Sequence, residues 1–435
     1  MDEDAGGFGD RLRACRRASG LSQQELAERS GLSVRAVSKL ESGRTRWPYP
    51  DSVGRLADAL GLRDAERAEF AAAAERRLGH GAQPARPGAD RVCVPRQVPA
   101  PVPAFTGRAG ELESLSGVAG GAALVTAITG TAGAGKTALA VHWAHQAAAE
   151  FPDGQLFLNL RGFCPAGAPL TSSDAARVYL DALGVRADRL PATAEAQLGL
   201  YRSLVAGKRL LIILDNARDA AQVRPLLPGS PTCRVIVTSR DQLRGLTVTQ
   251  AARPLILNAL TGAEARQLLA GRLGSARLAA DQHAVDQIVS ACARLPLALC
   301  IIAARAELRP DLPLARIATE LASWAGLDAF TDTGDPAADI RAAFSWSYRQ
   351  LDSGAARSFR MAGLHPGPVL EPRIMAALTG TTTELAARAL DALARGSLIQ
   401  AVRHERYTMN RLLRAYAREQ AVKDEESANH AAATA

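Results

Sequence analysis

Three regimes of apolar and polar patterning follow one another along the chain. In residues 8–41, Leu12, Leu21, Leu26, Ala27, Leu32, Val34, Val37 and Leu40 recur at helical spacing among polar residues. Ser22 and Ser33 stand where a side-chain oxygen caps a helix start, and Glu25 completes a capping box with Ser22. Gly31 falls between two short segments, where a tight turn needs a residue tolerant of positive φ. The pattern predicts helices over 22–29 and 33–41, then over 50–60 and 64–78, which is a helix-turn-helix arrangement.

The second regime consists of short, near-continuous apolar runs: "AALVTAITG", "GQLFLNL", "RLLIILD", "RVIVTS" and "PLILNAL". They alternate with helical stretches. Strands buried on both faces read this way, so the middle of the chain is expected to be a parallel sheet covered by helices. In the third regime "TGAEARQLLAGRL", "DQHAVDQIVSACA" and "TELAARALDALARGSLIQ" return to helical spacing. "LIQAVRHERYTM" then holds two strand-like pieces joined by a charged turn.

Residues 79–104 separate the first two regimes, with six prolines and neither periodicity. Such a segment reads as a stiff, extended tether, rising about 3 Å per residue. The organisation expected is a DNA-binding domain over 1–78, this linker, a nucleotide-binding domain over 105–257, a helical domain over 258–335, a winged-helix domain over 336–422 and a disordered tail over 423–435. At 435 residues the chain is long enough for several cores. No apolar run approaches the roughly 20 residues of a membrane span, and the acidic start "MDEDAGGFGD" does not resemble a signal peptide. A cytoplasmic protein without membrane partners is expected. The six cysteines form no C-x-x-C pair or metal-ligand cluster, so they are read as incidental.

Charge adds one asymmetry. Residues 11–46 hold nine Arg/Lys against three Glu, a local excess within an overall net charge of +8. A phosphate-facing surface requires that concentration. The stretches "LSQQELAERSGLS" and "VSKLESGRTRWP" closely resemble the Cro/phage-repressor (Xre) family. That resemblance implies that Gln23 touches a phosphate, that Ser33, Val34, Arg35, Ser38 and Lys39 present the recognition helix to the major groove, and that Arg44 and Arg46 hold the backbone of double-stranded DNA. The residue types suit it: Arg and Lys donate to guanine, and a short Val meets a thymine methyl. One such module binds weakly, which implies self-association.

The clearest chemistry lies in "GTAGAGKTA", where Gly130, Thr131, Ala132, Gly133, Ala134, Gly135, Lys136, Thr137 and Ala138 follow a β-like run and open a helix. The spacing fits a phosphate-binding loop. Glycines let backbone N–H groups converge on phosphate oxygens, Lys136 neutralises charge, and Thr137 offers a hydroxyl to Mg²⁺. Asp215, ending the apolar run "LLIILD", is placed to hold the same Mg²⁺, and Arg240 ends the next run.

The order "FTGRAGELESL", "GTAGAGKT", "LLIILDNA", "VIVTSR", "ARLPLAL" and "RYTMNRLLRAYARE" resembles the NB-ARC branch of the STAND ATPases, which includes actinobacterial transcriptional regulators. The resemblance implies ATP or ADP as ligand, with Gly107 and Arg108 in the pocket, Arg240 reading the γ-phosphate, Pro296 against adenine and Asn410 near the β-phosphate. It also implies the helical and winged-helix domains, with Arg403, Arg406, Arg411 and Arg414 as surface or inter-domain charges. Two departures stand out. Asn216 follows Asp215 where many ATPases carry a second acid, so hydrolysis should be slow unless Asp219 substitutes. Met409, Asn410 and Arg411 replace the family's Met-His-Asp, which bears on an ADP-locked state. No repeat appears at a period of about 34 or about 40 residues, where the family usually continues into sensor repeats.

The expected fold is thus an all-α helix-turn-helix followed by a P-loop α/β domain, a helical domain and a winged helix. The function expected is a transcriptional regulator switched by ATP/ADP, acting as a slow ATPase, with an unidentified ligand or protein as inducer. The alternative is an immune-type STAND protein whose N-terminal module binds a protein partner.

Overall fold

The computed structural model describes residues 8–42, 50–63, 66–67, 69–70, 74, 94–117, 124–163, 168–323, 326–331 and 335–434. They fall into two compact units, 1–90 and 91–435.

The first unit contains α1 (Phe8–Ala18), α2 (Gln23–Ser30), α3 (Val34–Glu41) and α4 (Pro50–Ala59). α2 and α3 fall where the capping serines place them. The Ser22 hydroxyl accepts from the Glu25 N–H at 3.1 Å, Glu25 Oε2 accepts from the Ser22 N–H at 2.7 Å, and Gly31 sits at φ 64° in the turn. Ser33 Oγ accepts from the Ala36 N–H at 3.2 Å. α1 is an element the pattern did not announce, although Phe8, Leu12 and Cys15 follow helical spacing. Its approach to α3 depends on Gly9, where a Cβ would stand 2.4 Å from the Leu40 carbonyl oxygen. Leu12, Leu26, Val37, Leu56 and Phe70 form the buried centre. The helix expected over 64–78 lies largely outside the described residues.

The second unit begins with α5 (Ala109–Ser116), β1 (Val125–Gly130), α6 (Lys136–Gln146), β2 (Gly154–Asn159), α7 (Ser172–Ala182), α8 (Ala194–Val205), β3 (Leu210–Ala217), α9 (Ala220–Val223), β4 (Arg234–Ser239), α10 (Arg244–Gln250) and β5 (Arg253–Leu257). The sheet order is β2-β3-β4-β1-β5 and every pairing is parallel. Its two faces bury different cores. Ala127, Ile212 and Val235 pack under α7 and α8, while Ile128, Ile213 and Ile236 pack with α6.

The core on the α6 side does not end with the sheet. It runs through α11 (Gly262–Leu273), α12 (Ser275–Ala279), α13 (Gln282–Ala291), α14 (Pro296–Glu307) and α15 (Leu314–Ser323). From there it continues into α16 (Ile340–Tyr348), α17 (Ser353–Leu364), β6 (Val369–Leu370), α18 (Pro372–Thr379), α19 (Thr383–Arg395), β7 (Gln400–Arg403), β8 (Arg406–Thr408) and α20 (Arg411–Thr434). The three C-terminal strands form an antiparallel sheet of order β6-β8-β7 beside α18 and α19, a winged-helix arrangement. Two residues, Val369 and Leu370, suffice for β6, too few for an alternation to betray.

Two expectations change. The tail is helical through Thr434, because "KDEESANHAAAT" is rich in Ala, the strongest helix former, and continues α20. The last part of the proline-rich segment is docked. Arg96 bridges Gln155 in parallel, the Gln97 N–H donates to the Gln155 carbonyl at 3.0 Å, and the Gln155 N–H donates to the Pro95 carbonyl at 2.7 Å. Proline is tolerated there because a sheet-edge segment does not need every N–H.

Candidate functional site: the phosphate-binding loop and its surroundings

β1 delivers the chain to Gly130, whose φ of 145° and close approach to the Leu257 carbonyl oxygen leave no room for a side chain. Gly133 and Gly135 follow at φ 79° and 89°, so the loop bends as only glycine does without strain. α6 then starts at Lys136, and its first backbone N–H groups face the loop as a ready anion site. Lys136 Nζ donates to the Gly130 and Thr131 carbonyls at 2.8 and 2.9 Å. Burial pushes its pKa down to about 7, helped by Arg240 and opposed by Asp215.

Asp215 lies near the C-terminal end of β3, beside this lysine, and is 5% exposed. Its Oδ1 accepts from the Thr137 hydroxyl at 2.6 Å and from the Thr238 hydroxyl at 2.7 Å. No described residue donates to Oδ2. Burial raises the carboxyl above its ordinary range, against the two hydroxyls and the charge of Lys136. Two neutral hydroxyls do not balance a buried carboxylate, and a hard divalent cation ligated by oxygen would. The chemistry of the donor set is compatible with Mg²⁺, which Thr137 Oγ1 and Asp215 would hold. Thr238 was not singled out in the sequence, although it sits in the quoted "VIVTSR".

Asn216 stands at φ 57° in a register shift between Leu214 and Ala217, a conformation that asparagine tolerates. Its Nδ2 donates to the Phe163 carbonyl at 3.3 Å. Asp219 does not stand in for a second acid. Its Oδ1 caps α9 through the Gln222 N–H at 2.9 Å and its Oδ2 pairs with Arg218 at 2.8 Å.

Three further expected residues border the loop. Arg108, itself at φ 66° and buried, reaches the Ala134 carbonyl at 3.3 Å and the Asn258 carbonyl at 2.6 Å, and pairs with Glu111. Gly107 beside it lies so close to Glu264 that a Cβ would meet Oε1 at 2.7 Å. Pro296 opens α14 and lies near Gly135, while the next residue's N–H donates to the Gly133 carbonyl at 3.2 Å.

The remaining two are held elsewhere. The Arg240 guanidinium sits between the rings of Phe163 and Trp346, 5.2 and 5.1 Å from their centroids. It donates to the Ala343 carbonyl and to Ser347 Oγ, and burial lowers its pKa to about 10. Asn410 caps α20: its Oδ1 accepts from the Leu412 N–H at 2.8 Å. Of the winged-helix arginines, Arg406 pairs with Glu371 and Arg414 holds the His365 and Gly367 carbonyls, whereas Arg403 and Arg411 are exposed.

One residue with no sequence signal joins these parts. Ser397, at φ 56° after α19, accepts from the Thr131 hydroxyl through its carbonyl at 2.9 Å and donates from its own hydroxyl to the Arg240 carbonyl at 2.7 Å. The phosphate loop, the end of β4 and the winged helix therefore share one hydrogen-bonded chain.

In the first unit, Val34, Ser38 and Lys39 are exposed along α3, and Ser33 caps it. Gln23 is also held within the unit. Its Nε2 donates to Glu41 Oε2 at 2.7 Å, because a buried carboxylate draws every donor in reach. Glu41 also receives Arg16 Nε at 2.5 Å and Nη2 at 3.1 Å. The Arg35 side chain, Arg44 and Arg46 lie outside the described residues.

A family described as "Helix-turn-helix domain" matches residues 8–70. The Regulatory protein AfsR of Streptomyces griseus is 38% identical over 388 residues, which is 87% of this chain and 39% of that protein. The AfsR of Streptomyces coelicolor is 38% identical over 345 residues, 77% of this chain and 34% of that protein. The chain therefore spans well under half the length of these relatives. The Bacillus subtilis HTH-type transcriptional repressor RghR is 40% identical over 53 residues, 12% of this chain and 39% of that protein. Among solved structures, the Walker-type ATPase PABY2304 of Pyrococcus abyssi overlaps with TM-score 0.49 at 12% identity, over 72% of this chain and 95% of its own. Residues 8–70 match the helix-turn-helix family, and on the same chain the geometry places a parallel-sheet α/β module with a glycine-rich loop, followed by helical and winged-helix regions.

Proposed function

We propose that the chain is a DNA-binding transcriptional regulator of the STAND class, set by whether ATP or ADP, with Mg²⁺, occupies the phosphate-binding loop. The observation that carries this reading is the path Thr131–Ser397–Arg240, which ties the loop to the winged helix. A ligand that changes the loop has a mechanical route into the C-terminal region, as a two-state switch needs. The names of the AfsR and RghR relatives agree with a regulatory role.

In this reading the N–H groups at the start of α6 and the Lys136 ammonium bind the phosphates. Thr137 and Asp215 would hold the metal, which would supply positive charge to neutralise the phosphates. Arg108 and Pro296 shape the pocket. Asn216 and Asp219 present no free carboxylate to orient a water, so turnover is slow and the bound state is long-lived. Self-association supplies the multivalency that one helix-turn-helix lacks.

The test uses the full chain. Copurified nucleotide is identified, and binding sites are selected from random duplexes in ATP and in ADP, for wild type and Lys136→Ala. The reading expects one enriched site whose affinity differs at least about tenfold between nucleotides and loses that difference in the variant. Equal affinity in ATP, ADP and the variant removes the switch, and no enriched sequence at all favours a protein-recruiting module instead.

A further inference from the structure

Arg240 is gripped by one face of α16, through Ala343, Trp346 and Ser347. At about 100° per residue, Arg341, Ser345, Tyr348 and Arg349 occupy the opposite face of the same helix. That face is only partly buried: Tyr348 packs against Phe359 and Tyr416, while Arg349 is exposed. It forms one side of a shallow, open cavity of about 380 Å³, whose other side is Tyr416, Gln420 and Lys423 of α20.

The chemistry of the cavity is specific. The Tyr348 and Tyr416 rings stand 6.0 Å apart and edge to face, giving it an apolar floor. Its rim is cationic. Arg341 is already neutralised: Glu419 takes its Nε and Nη2 at 2.8 and 2.9 Å, and Asp328 adds a third contact. Arg349 is not neutralised. Its Nη2 donates to Ser345 Oγ at 2.8 Å, and no carboxylate pairs with it among the described residues. The volume is within the range of small-molecule sites, which are apolar bodies with a few placed polar groups.

We infer that this cavity is a binding site for a small amphipathic organic anion, with an aromatic or aliphatic body on the tyrosines and its acidic group at Arg349. The occupant is then one helix away from Arg240, so its seating shifts α16 against the guanidinium and, through Ser397, the phosphate-binding loop. This second step rests on the nucleotide-binding reading above. The first does not.

The probe is anilinonaphthalene sulfonate, an aromatic anion, titrated by fluorescence into the full chain, with uncharged N-phenylnaphthylamine as control. Wild type is expected to bind one sulfonate probe per chain, at least about tenfold tighter than the neutral control, the difference that a charge-assisted hydrogen bond makes. Arg349→Ala should lose about that factor, Arg349→Lys should keep most of it, and Ala342→Trp, which fills the cavity, should abolish binding. Matching thermal unfolding of the variants excludes misfolding. Binding that ignores Arg349→Ala and Ala342→Trp overturns the site. The rate of nucleotide release is then read with and without probe: a change of about threefold or more in wild type, absent in Ala342→Trp, is expected. Probe binding with an unchanged release rate overturns the transmission. A chain that binds no nucleotide at all defeats the earlier reading while leaving the fluorescence test of the cavity intact.

Discussion

Among the described residues each unit buries one carboxylate, and the two are treated in opposite ways. Glu41 in the first unit is surrounded by donors: Arg16 in a two-point pair, Gln23 and the more distant Arg13. Burial would raise its pKa, but these partners outweigh it and hold the group below the ordinary range. Asp215 in the second unit has two hydroxyls and no ion pair within hydrogen-bonding reach, and burial keeps it above the ordinary range. A carboxylate that is satisfied internally holds a scaffold together. One that is left short of positive charge is prepared to receive it from outside.

The largest effect that sharpens this contrast is on stability. Glu41→Ala removes the shared acceptor of Arg16 and Gln23, and losing hydrogen bonds to a charged group costs about 1.5–3 kcal/mol. Hydrogen exchange over residues 8–42 of the full chain should report that loss locally. Asp215→Asn removes a carboxylate that pays no ion-pair return, so the same measurement over β3 should show little loss or a gain. The pH dependence has opposite signs. The Glu41 contribution is present above its unfolded pKa and lost as pH falls through the lower folded value. The Asp215 cost is present above its raised folded value and relieved as pH falls through it. Comparable destabilisation by the two substitutions would erase the distinction.

Next in size is ligand affinity. Lys136→Ala should weaken nucleotide binding about 100-fold, equivalent to about 2.7 kcal/mol, by calorimetric titration. Asp215→Asn should chiefly remove the tightening that Mg²⁺ produces. In Glu41→Ala, nucleotide affinity should stay at the wild-type value, since that carboxylate serves only its own unit.

A smaller, more diagnostic effect concerns protons. With the Lys136 pKa near 7 in the free protein, the ammonium is largely neutral at pH about 8.5 and is recharged when phosphates arrive. Binding should then take up close to one proton per nucleotide at about that pH, and none below pH about 6, where the group is already charged. Titrations in buffers of different ionisation enthalpy measure this directly. Lys136→Arg should abolish the uptake, and an uptake that persists in that variant would assign the proton to another group.

The sequence exposed the elements of this contrast unevenly. The glycine loop, Lys136, Thr137 and Asp215 were legible because phosphate binding fixes residue types at fixed spacing along one strand and helix. Strands β1 to β4 were legible because burial on both faces leaves continuous apolar runs, whereas β5 is an exposed edge strand that shows an apolar run without that burial. Ser397 was not, since its role depends on a carbonyl and a positive φ rather than on its side-chain type alone. Arg240 was found, but the Phe163 and Trp346 rings that hold it lie 77 residues before it and 106 after it, beyond any local pattern. Gln23 was assigned outward because nothing in a helical wheel reveals that Glu41 is buried beneath it.

The smallest predicted effect separates scaffold from contact at a single residue of the first unit. Ser33 was assigned to the DNA face, yet its hydroxyl is the acceptor that starts the eight-residue α3. Ser33→Ala should cost about 1 kcal/mol of stability, as loss of a helix N-cap does, whatever DNA it meets. Asparagine and aspartate both restore the cap, but only aspartate adds a negative charge. If Ser33 lies against a DNA phosphate, Ser33→Asp should keep the unfolding temperature of wild type and lose duplex affinity, while Ser33→Asn keeps both. Equal affinity for the two variants would make the serine a cap alone, and would confine the reading surface of α3 to Val34, Ser38, Lys39 and the residues beyond.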